Sequence, residues 1–143
     1  ANMRLPGKGT LFVSLRDQDK RDRSLEVIKG FAELGFTIIA TDGTASFLNQ
    51  HGVTTGVVRK VSEGRPNIVD AIKNGEVQLV INTPSGEISR IAEYQIGWAA
   101  VEHKIPFITT LSAAASVVSA IRTMHKGTPR VWSIQELHTA LAH

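Results

Sequence analysis

Phe36-Thr37-Ile38-Ile39-Ala40-Thr41-Asp42-Gly43-Thr44-Ala45-Ser46 begins as an apolar, β-branched run and turns through small hydroxyl residues into a helical pattern that stops at Gly52. A continuous apolar run of this length suits a strand buried on both faces of a parallel sheet. The turn that follows places hydroxyls where a helix begins. The first N–H groups of a helix have no internal partners, and its dipole favours negative charge there. Thr41, Thr44 and Ser46 supply further donors, and Gly43 lets the backbone approach a guest closely. The stretch therefore reads as a strand–turn–helix unit with an anion site, suited to a phosphate or a carboxylate.

The same alternation runs outward in both directions. Strands are predicted at Thr10–Ser14, Thr37–Thr41, Thr55–Val58, Val77–Asn82 and Phe107–Thr109. Between them lie helical patterns. Leu25, Ile28, Phe31, Ala32 and Leu34 form one apolar stripe ended by Gly35. Phe47 and Leu48 anchor the helix after Gly43. Ile68, Ala71 and Ile72 anchor a third, which Pro66 and Asn67 start and Gly75 ends. A fourth covers Ile91–Val101, and Val117, Val118, Ala120, Ile121 and Met124 mark a fifth. Ser133-Ile134-Gln135-Glu136 has capping-box spacing and predicts a terminal helix. Strands that alternate with helices predict a three-layer α/β fold with a five-stranded parallel sheet. Residues 1–9, broken by Pro6, Gly7 and Gly9, read as a linker to a preceding domain, and residues 10–143 as one domain.

Composition narrows the function classes. The 143 residues carry 16 basic and 13 acidic side chains, a net charge of +3, and aromatics are only 6%. Nucleic-acid binding calls for clustered basic residues with aromatics interleaved, so no nucleic-acid partner is expected. No apolar run reaches the roughly 20 residues of a membrane span, and no signal-peptide core opens the chain. There is no cysteine, hence no disulfide and no thiolate metal site. A cytoplasmic location fits. The five histidines form no ligand spacing, and no metal is expected. Neither a Walker loop nor a Gly-x-Ser-x-Gly elbow is present.

Ligands of parallel α/β sheets bind beyond the carboxyl ends of the strands. Five segments gather there: Arg16–Arg21, Thr41–Ser46, Arg59–Pro66, Asn82–Gly86 and Thr109–Thr110. Hydroxyls, glycines and cations dominate them, the chemistry of a rim for a phosphorylated or carboxylate small molecule.

These segments resemble a known family. Ala40-Thr41-Asp42-Gly43-Thr44-Ala45, Lys60-Val61-Ser62-Glu63-Gly64-Arg65-Pro66 and Ile81-Asn82-Thr83-Pro84-Ser85-Gly86 are similar to the methylglyoxal-synthase-like domain. Within it the likeness is to the C-terminal regulatory domains of carbamoyl-phosphate synthase large chains, from about Gly9 to Leu141. The resemblance implies a non-catalytic allosteric module within a glutamine-hydrolysing ligase of arginine and pyrimidine biosynthesis. It implies a nucleotide monophosphate effector, uridine monophosphate as inhibitor, and inosine monophosphate or ornithine as activators in bacterial members. It also implies partners in the rest of the large chain and the glutaminase small chain. No cofactor is expected in this domain; ATP with magnesium or manganese belongs to the rest of the synthase. By resemblance, Lys20, Thr41 and Thr44 hold the phosphate, Lys60, Asn82 and Thr83 line the remaining site, and Thr109 falls at the ornithine-linked interface. The chain departs from the family's pattern at Pro84, at Glu87 and at Gly97-Trp98, where many members carry paired arginines.

Methylglyoxal synthase itself is the alternative, acting on dihydroxyacetone phosphate. That chemistry needs carboxylate bases and a histidine. Arg65 and Ser85 stand at the two carboxylate positions, and no histidine occurs between Glu87 and Ala100. A phosphorelay receiver needs an aspartate after the third strand and a lysine after the fifth, where this chain has Arg59 and Thr110. The purine-pathway cyclohydrolase domain shares the fold. Binding without chemistry is the reading the residues favour.

Overall fold

The computed structural model describes residues 2–84, 88–127 and 131–133. Its strands are β1 (Asn2–Arg4), β2 (Thr10–Ser14), β3 (Thr37–Ala40), β4 (Gly56–Val57), β5 (Leu79–Asn82), β6 (Phe107–Ile108) and β7 (Val131–Ser133). Its helices are α1 (Asp22–Glu33), α2 (Asp42–Gln50), α3 (Ile68–Lys73), α4 (Arg90–Glu102) and α5 (Leu111–Lys126). Five strands form a sheet in the order β4-β3-β2-β5-β6, every neighbouring pair parallel. The chain winds outward from β2 to β4, crosses to β5 on the other side of β2, and winds outward again. The order reverses beside β2, which is where such sheets open a crevice for a ligand.

Period-two alternation divides the core into two layers. Leu11 and Val13 of β2, with Leu79 and Ile81 of β5, pack against Ile28 and Phe31 of α1, Leu48 of α2 and Val117 and Ile121 of α5. Phe12 and Val80 face the other way, onto Ile68 and Ile72 of α3 and Ile96 and Ala100 of α4. Phe12 is fully buried. Truncating such a side chain to alanine costs about 3–5 kcal/mol.

Four of the helices start with a hydrogen-bonded cap. Ser24 Oγ accepts from Arg21 N at the head of α1. Asn67 Oδ1 accepts from Val69 N at 2.9 Å and Asp70 Oδ2 accepts from Asn67 N at 2.9 Å, a reciprocal pair that starts α3. Ser89 and Thr110 cap α4 and α5 through Ala92 N and Ala113 N. The α2 helix differs: Thr41 sits at its cap position but makes no side-chain cap bond.

Several expectations need correction. Residues 2–4 form β1, paired antiparallel with β7, and Leu5 is only 2% exposed within the core, so this part of the expected linker is built into the fold. The turn into β2 rests on Gly9, whose φ of +135° suits only glycine and whose Cβ would fall 2.5 Å from Gln78 Oε1. The strands after β2 are shorter than expected. Thr41 leaves the ladder to open α2, and Thr55 exchanges backbone bonds with the Asn49 side chain in place of a strand neighbour. The fourth helix, expected over Ile91–Val101, runs over Arg90–Glu102, and its expected end residues Ile91 and Val101 are 76% and 69% exposed. The buried face of α4 is Ala92, Ile96, Ala99 and Ala100. Ser133 ends β7, and the helix expected beyond it lies outside the described residues.

Candidate functional site

The strand register aligns the polar residues that follow the apolar runs. Ser14 pairs opposite Asn82 at the carboxyl ends of β2 and β5. Thr41 follows Ala40, which pairs with Val13, and the Thr41 and Ser14 hydroxyls lie 3.4 Å apart. Thr109 follows Ile108, the partner of Ile81. One transverse row of Thr41, Ser14, Asn82 and Thr109 thus closes the sheet where the apolar core ends. Thr41, Ser14 and Asn82 are buried, while Thr109 is exposed.

The next residues along the chain hold the loops above this row. Leu15 N donates to Thr44 Oγ1 at 3.0 Å, which ties the first loop to α2. Arg16 N donates to Thr83 Oγ1 at 2.8 Å, and Thr83 N donates to Ser14 O at 3.0 Å, which ties it to the end of β5. Thr44 and Thr83 therefore position backbone, and both are buried. Because the Thr41 hydroxyl turns toward Ser14, it leaves the head of α2 uncapped by its own residue. Asp42 and Gly43 there are exposed.

Asn82 is the exceptional residue. It is 2% exposed, and its Oδ1 has no hydrogen-bond partner. Leaving a buried acceptor unpaired costs about 1–3 kcal/mol. A bound group that brings a donor would recover this.

Cations lie on the loops beyond these strand ends. Lys20 follows the 3-10 turn Asp17–Asp19, and its Nζ donates to Asp17 Oδ1 at 2.9 Å with only 17% of the side chain exposed. A cleft of about 410 Å³ opens between the loops after β2, β5 and β6, lined by Arg16, Arg21, Arg23, Thr83, Thr109 and Thr110 among others. Arg16 is paired with Asp19 at 2.8 Å, and Arg23 reaches Ser112 Oγ at 3.1 Å. Lys60 stands beyond the end of β4, its N–H donating to Glu63 Oε1 at 2.7 Å. The structure thus groups Thr41, Thr44, Asn82 and Thr83 by direct contact or register around β2. Thr109 stands beside Thr83 in the cleft, and Lys60 sits at the outer edge of the same strand ends. Ser85, Gly86 and Glu87 lie outside the described residues.

Sequence reasoning missed Ser14, which the register puts at the centre of the row. The signal was its place as the last, polar residue of an apolar strand. It placed Arg16 and Arg21 in the rim only as part of a segment and did not name Arg23, which lines the same cleft from the head of α1.

Asp70, the carboxylate paired with Arg65, is already committed. Arg65 Nη2 donates to its Oδ1 at 2.7 Å. That hydrogen bond, with the backbone bond from Asn67, holds the Asp70 carboxyl below the usual carboxylate range. A carboxylate stabilised in its charged form is a poor proton acceptor.

The fold is that of a parallel α/β domain with a polar rim at the carboxyl ends of its strands. The family model of the MGS-like domain matches residues 23–109, and the chain belongs to that family. It is 51% identical over 138 residues to a carbamoyl phosphate synthase large chain of Archaeoglobus fulgidus, covering 96% of this chain and 13% of that protein. It is 51% identical over 126 residues to the C-terminal section of the large chain from Aquifex aeolicus, 88% of this chain and 23% of the other. It is 45% identical over 139 residues to the corresponding section from Methanopyrus kandleri, 96% of this chain and 26% of that one. The chain thus spans about an eighth to a quarter of these relatives' lengths. Among the described residues no helix is long and apolar enough to cross a membrane.

Proposed function

We propose that this chain is the effector-binding domain of a cytoplasmic carbamoyl-phosphate synthase large chain, serving arginine and pyrimidine biosynthesis. Its ligand is a nucleotide monophosphate such as uridine or inosine monophosphate. The observation that carries the reading is the buried, unpartnered Asn82 Oδ1 in a row that ends at the uncapped head of α2. A fully ionised phosphate has no proton to offer an amide oxygen, whereas a ribose hydroxyl or a base N–H has one. The α2 head and Lys20 suit the phosphate, Thr41 and Thr44 shape the turn that presents it, and Asn82, Thr83 and Lys60 face the nucleoside. Thr109 belongs to the contact with the remainder of the synthase, whose small chain is the glutaminase and whose other domains use ATP with magnesium or manganese.

The fragment itself carries out no chemistry in this reading. Arg65 stands where methylglyoxal synthase would need a carboxylate, and it spends its charge on Asp70. Thermal-shift measurements with uridine monophosphate, inosine monophosphate, inorganic phosphate and dihydroxyacetone phosphate test the proposal. A ligand that binds only the folded state raises its stability, so the nucleotides should raise Tm and phosphate alone should do so weakly. Formation of methylglyoxal from dihydroxyacetone phosphate, abolished by Asp70→Asn, would replace this reading with the enzyme one.

A further inference from the structure

The loop after β2 serves two groups of residues. Thr44, in the first turn of α2, holds it at Leu15 N, and Thr83, after β5, holds it at Arg16 N. Two interleaved ion pairs follow, Arg16 with Asp19 at 2.8 Å and Lys20 with Asp17 at 2.9 Å. Lys20 belongs to the proposed nucleotide site. Arg16 and Asp19 instead line the cleft of about 410 Å³ between the loops after β2, β5 and β6, and Thr41, Thr44, Asn82 and Lys20 take no part in it.

This cleft gathers more positive charge than its own residues neutralise. Arg16, Arg21 and Arg23 line it, and among the described residues its one carboxylate, Asp19, is bound to Arg16. Two of these arginines also stand where helix physics disfavours them. Arg21 is the cap residue of α1 and Arg23 lies in its first turn, where the helix dipole is positive and cations are destabilising. The head of α5 opens on the same cleft through Thr110 and Ser112, and its first turn holds no acidic residue. Asp22, the acidic residue of the first turn of α1, does not line the cleft. The arginines are nevertheless held in place. Arg23 Nη2 donates to Ser112 Oγ at 3.1 Å, and Arg16 Nε donates to Asp19 Oδ2. A guanidinium has five N–H donors, so both keep donors for a guest.

We propose that this cleft is a second anion site, separate from the nucleotide site, which takes a small molecule with a dianionic group, a phosphate ester or a dicarboxylate, on Arg21 and Arg23. Guanidinium forks recognise both groups through paired N–H···O bonds. A dianion answers both arginines at the helix head, whereas a single carboxylate leaves one of them opposed to the dipole. The volume lies within the range of small-molecule sites, about 300–1,000 Å³.

Amide NMR spectra of the isotope-labelled chain, titrated with inorganic phosphate, malonate and acetate at constant ionic strength, test this. Constant salt removes general screening from the comparison. The amides of Arg21 to Ser24 and of Thr110 to Ala113 should shift together and saturate with one Kd, on the order of 1 mM for the better dianion. Tighter binding of phosphate assigns the site to phosphate esters, and tighter binding of malonate assigns it to dicarboxylates. Acetate should bind at least about tenfold more weakly than that dianion. The double variant Arg21→Gln, Arg23→Gln should weaken the dianion at least about tenfold. Its Tm without ligand should not fall, because both side chains are exposed and the helix head is relieved of two cations. Lys20→Ala should leave these shifts in place, so the result does not depend on the nucleotide reading. No saturable shift at these amides with either dianion would overturn the proposal. So would equal affinity for acetate, equal affinity in the double variant, or loss of the shifts in Lys20→Ala. A lower Tm in the double variant would overturn it too, by giving the arginines to the fold.

Discussion

Single side chains at the strand ends decide whether loops are positioned or ligands are held. Thr44 belongs to the first kind, since its oxygen satisfies Leu15 N in a fully buried setting. Thr44→Val keeps the shape and removes the acceptor, so it should cost about 1–3 kcal/mol of stability through the orphaned N–H. Thermal unfolding without ligand measures this, and an unchanged Tm would mean that the bond does not hold the loop. Asn82 differs: its oxygen is unpaired inside the fold, open to the proposed ligand. Both residues were legible as polar positions at strand ends, but their different roles were not. Hydrogen-bond partners 29 residues apart, as for Leu15 and Thr44, leave no periodic trace in a sequence. Ser14 was missed for the same reason, because its importance comes from the residues opposite it in neighbouring strands.

Among the elements, α3 shows how a short helix is held by its first turn. Its cap joins Asn67 and Asp70 reciprocally, and Arg65 adds a charged bond to Asp70. The Asp70 carboxyl titrates below its ordinary value of about 3.9. A depressed folded-state pKa gives stability that is complete above the unfolded value and is lost as pH falls through the folded one. Asp70→Asn keeps an oxygen for the cap and removes the charge. Wild type should therefore be the more stable at pH 7, and the gap in Tm should close as pH falls below about 4; a gap that persists at pH 2 would contradict the ion-pair account. The helix itself was legible from Pro66-Asn67 and Gly75, which bracket it in the sequence. Among the described residues, the five helices and the five strands of the parallel sheet were legible too, because continuous apolar strands and apolar helix stripes leave strong local patterns. What failed was local competition. Thr41 and Thr55 were read as strand, yet a helix start claims the first and the Asn49 side chain claims the second. The pairing of β1 with β7 joins residues 2–4 to residues 131–133, and Pro6, Gly7 and Gly9 hid it behind a linker-like composition.

At the scale of the whole molecule, the question is how binding at one sheet edge becomes control. The strand-end rim carries the proposed nucleotide site and Thr109 together, so a ligand there can bias a contact made by the same edge. A ligand shifts an equilibrium only by its differential affinity for two states, and such couplings are typically about 1–3 kcal/mol. Within a full-length synthase that carries this chain, Thr109→Ala should move the effector concentration for half-maximal response by roughly fivefold or more. An unchanged response to uridine monophosphate, inosine monophosphate and ornithine alike would rule that route out. All of this depends on the site itself, and Lys20, a largely buried cation on the loop after β2 and the proposed phosphate partner, is its most direct probe. Titration calorimetry of uridine and inosine monophosphates into the wild-type chain and Lys20→Ala measures it. The account predicts saturable binding in the wild type, weakened in the variant by roughly 1.5–3 kcal/mol for a lost charge-assisted bond. No heat of binding for either nucleotide in the wild type, or equal affinity in the two chains, would contradict it.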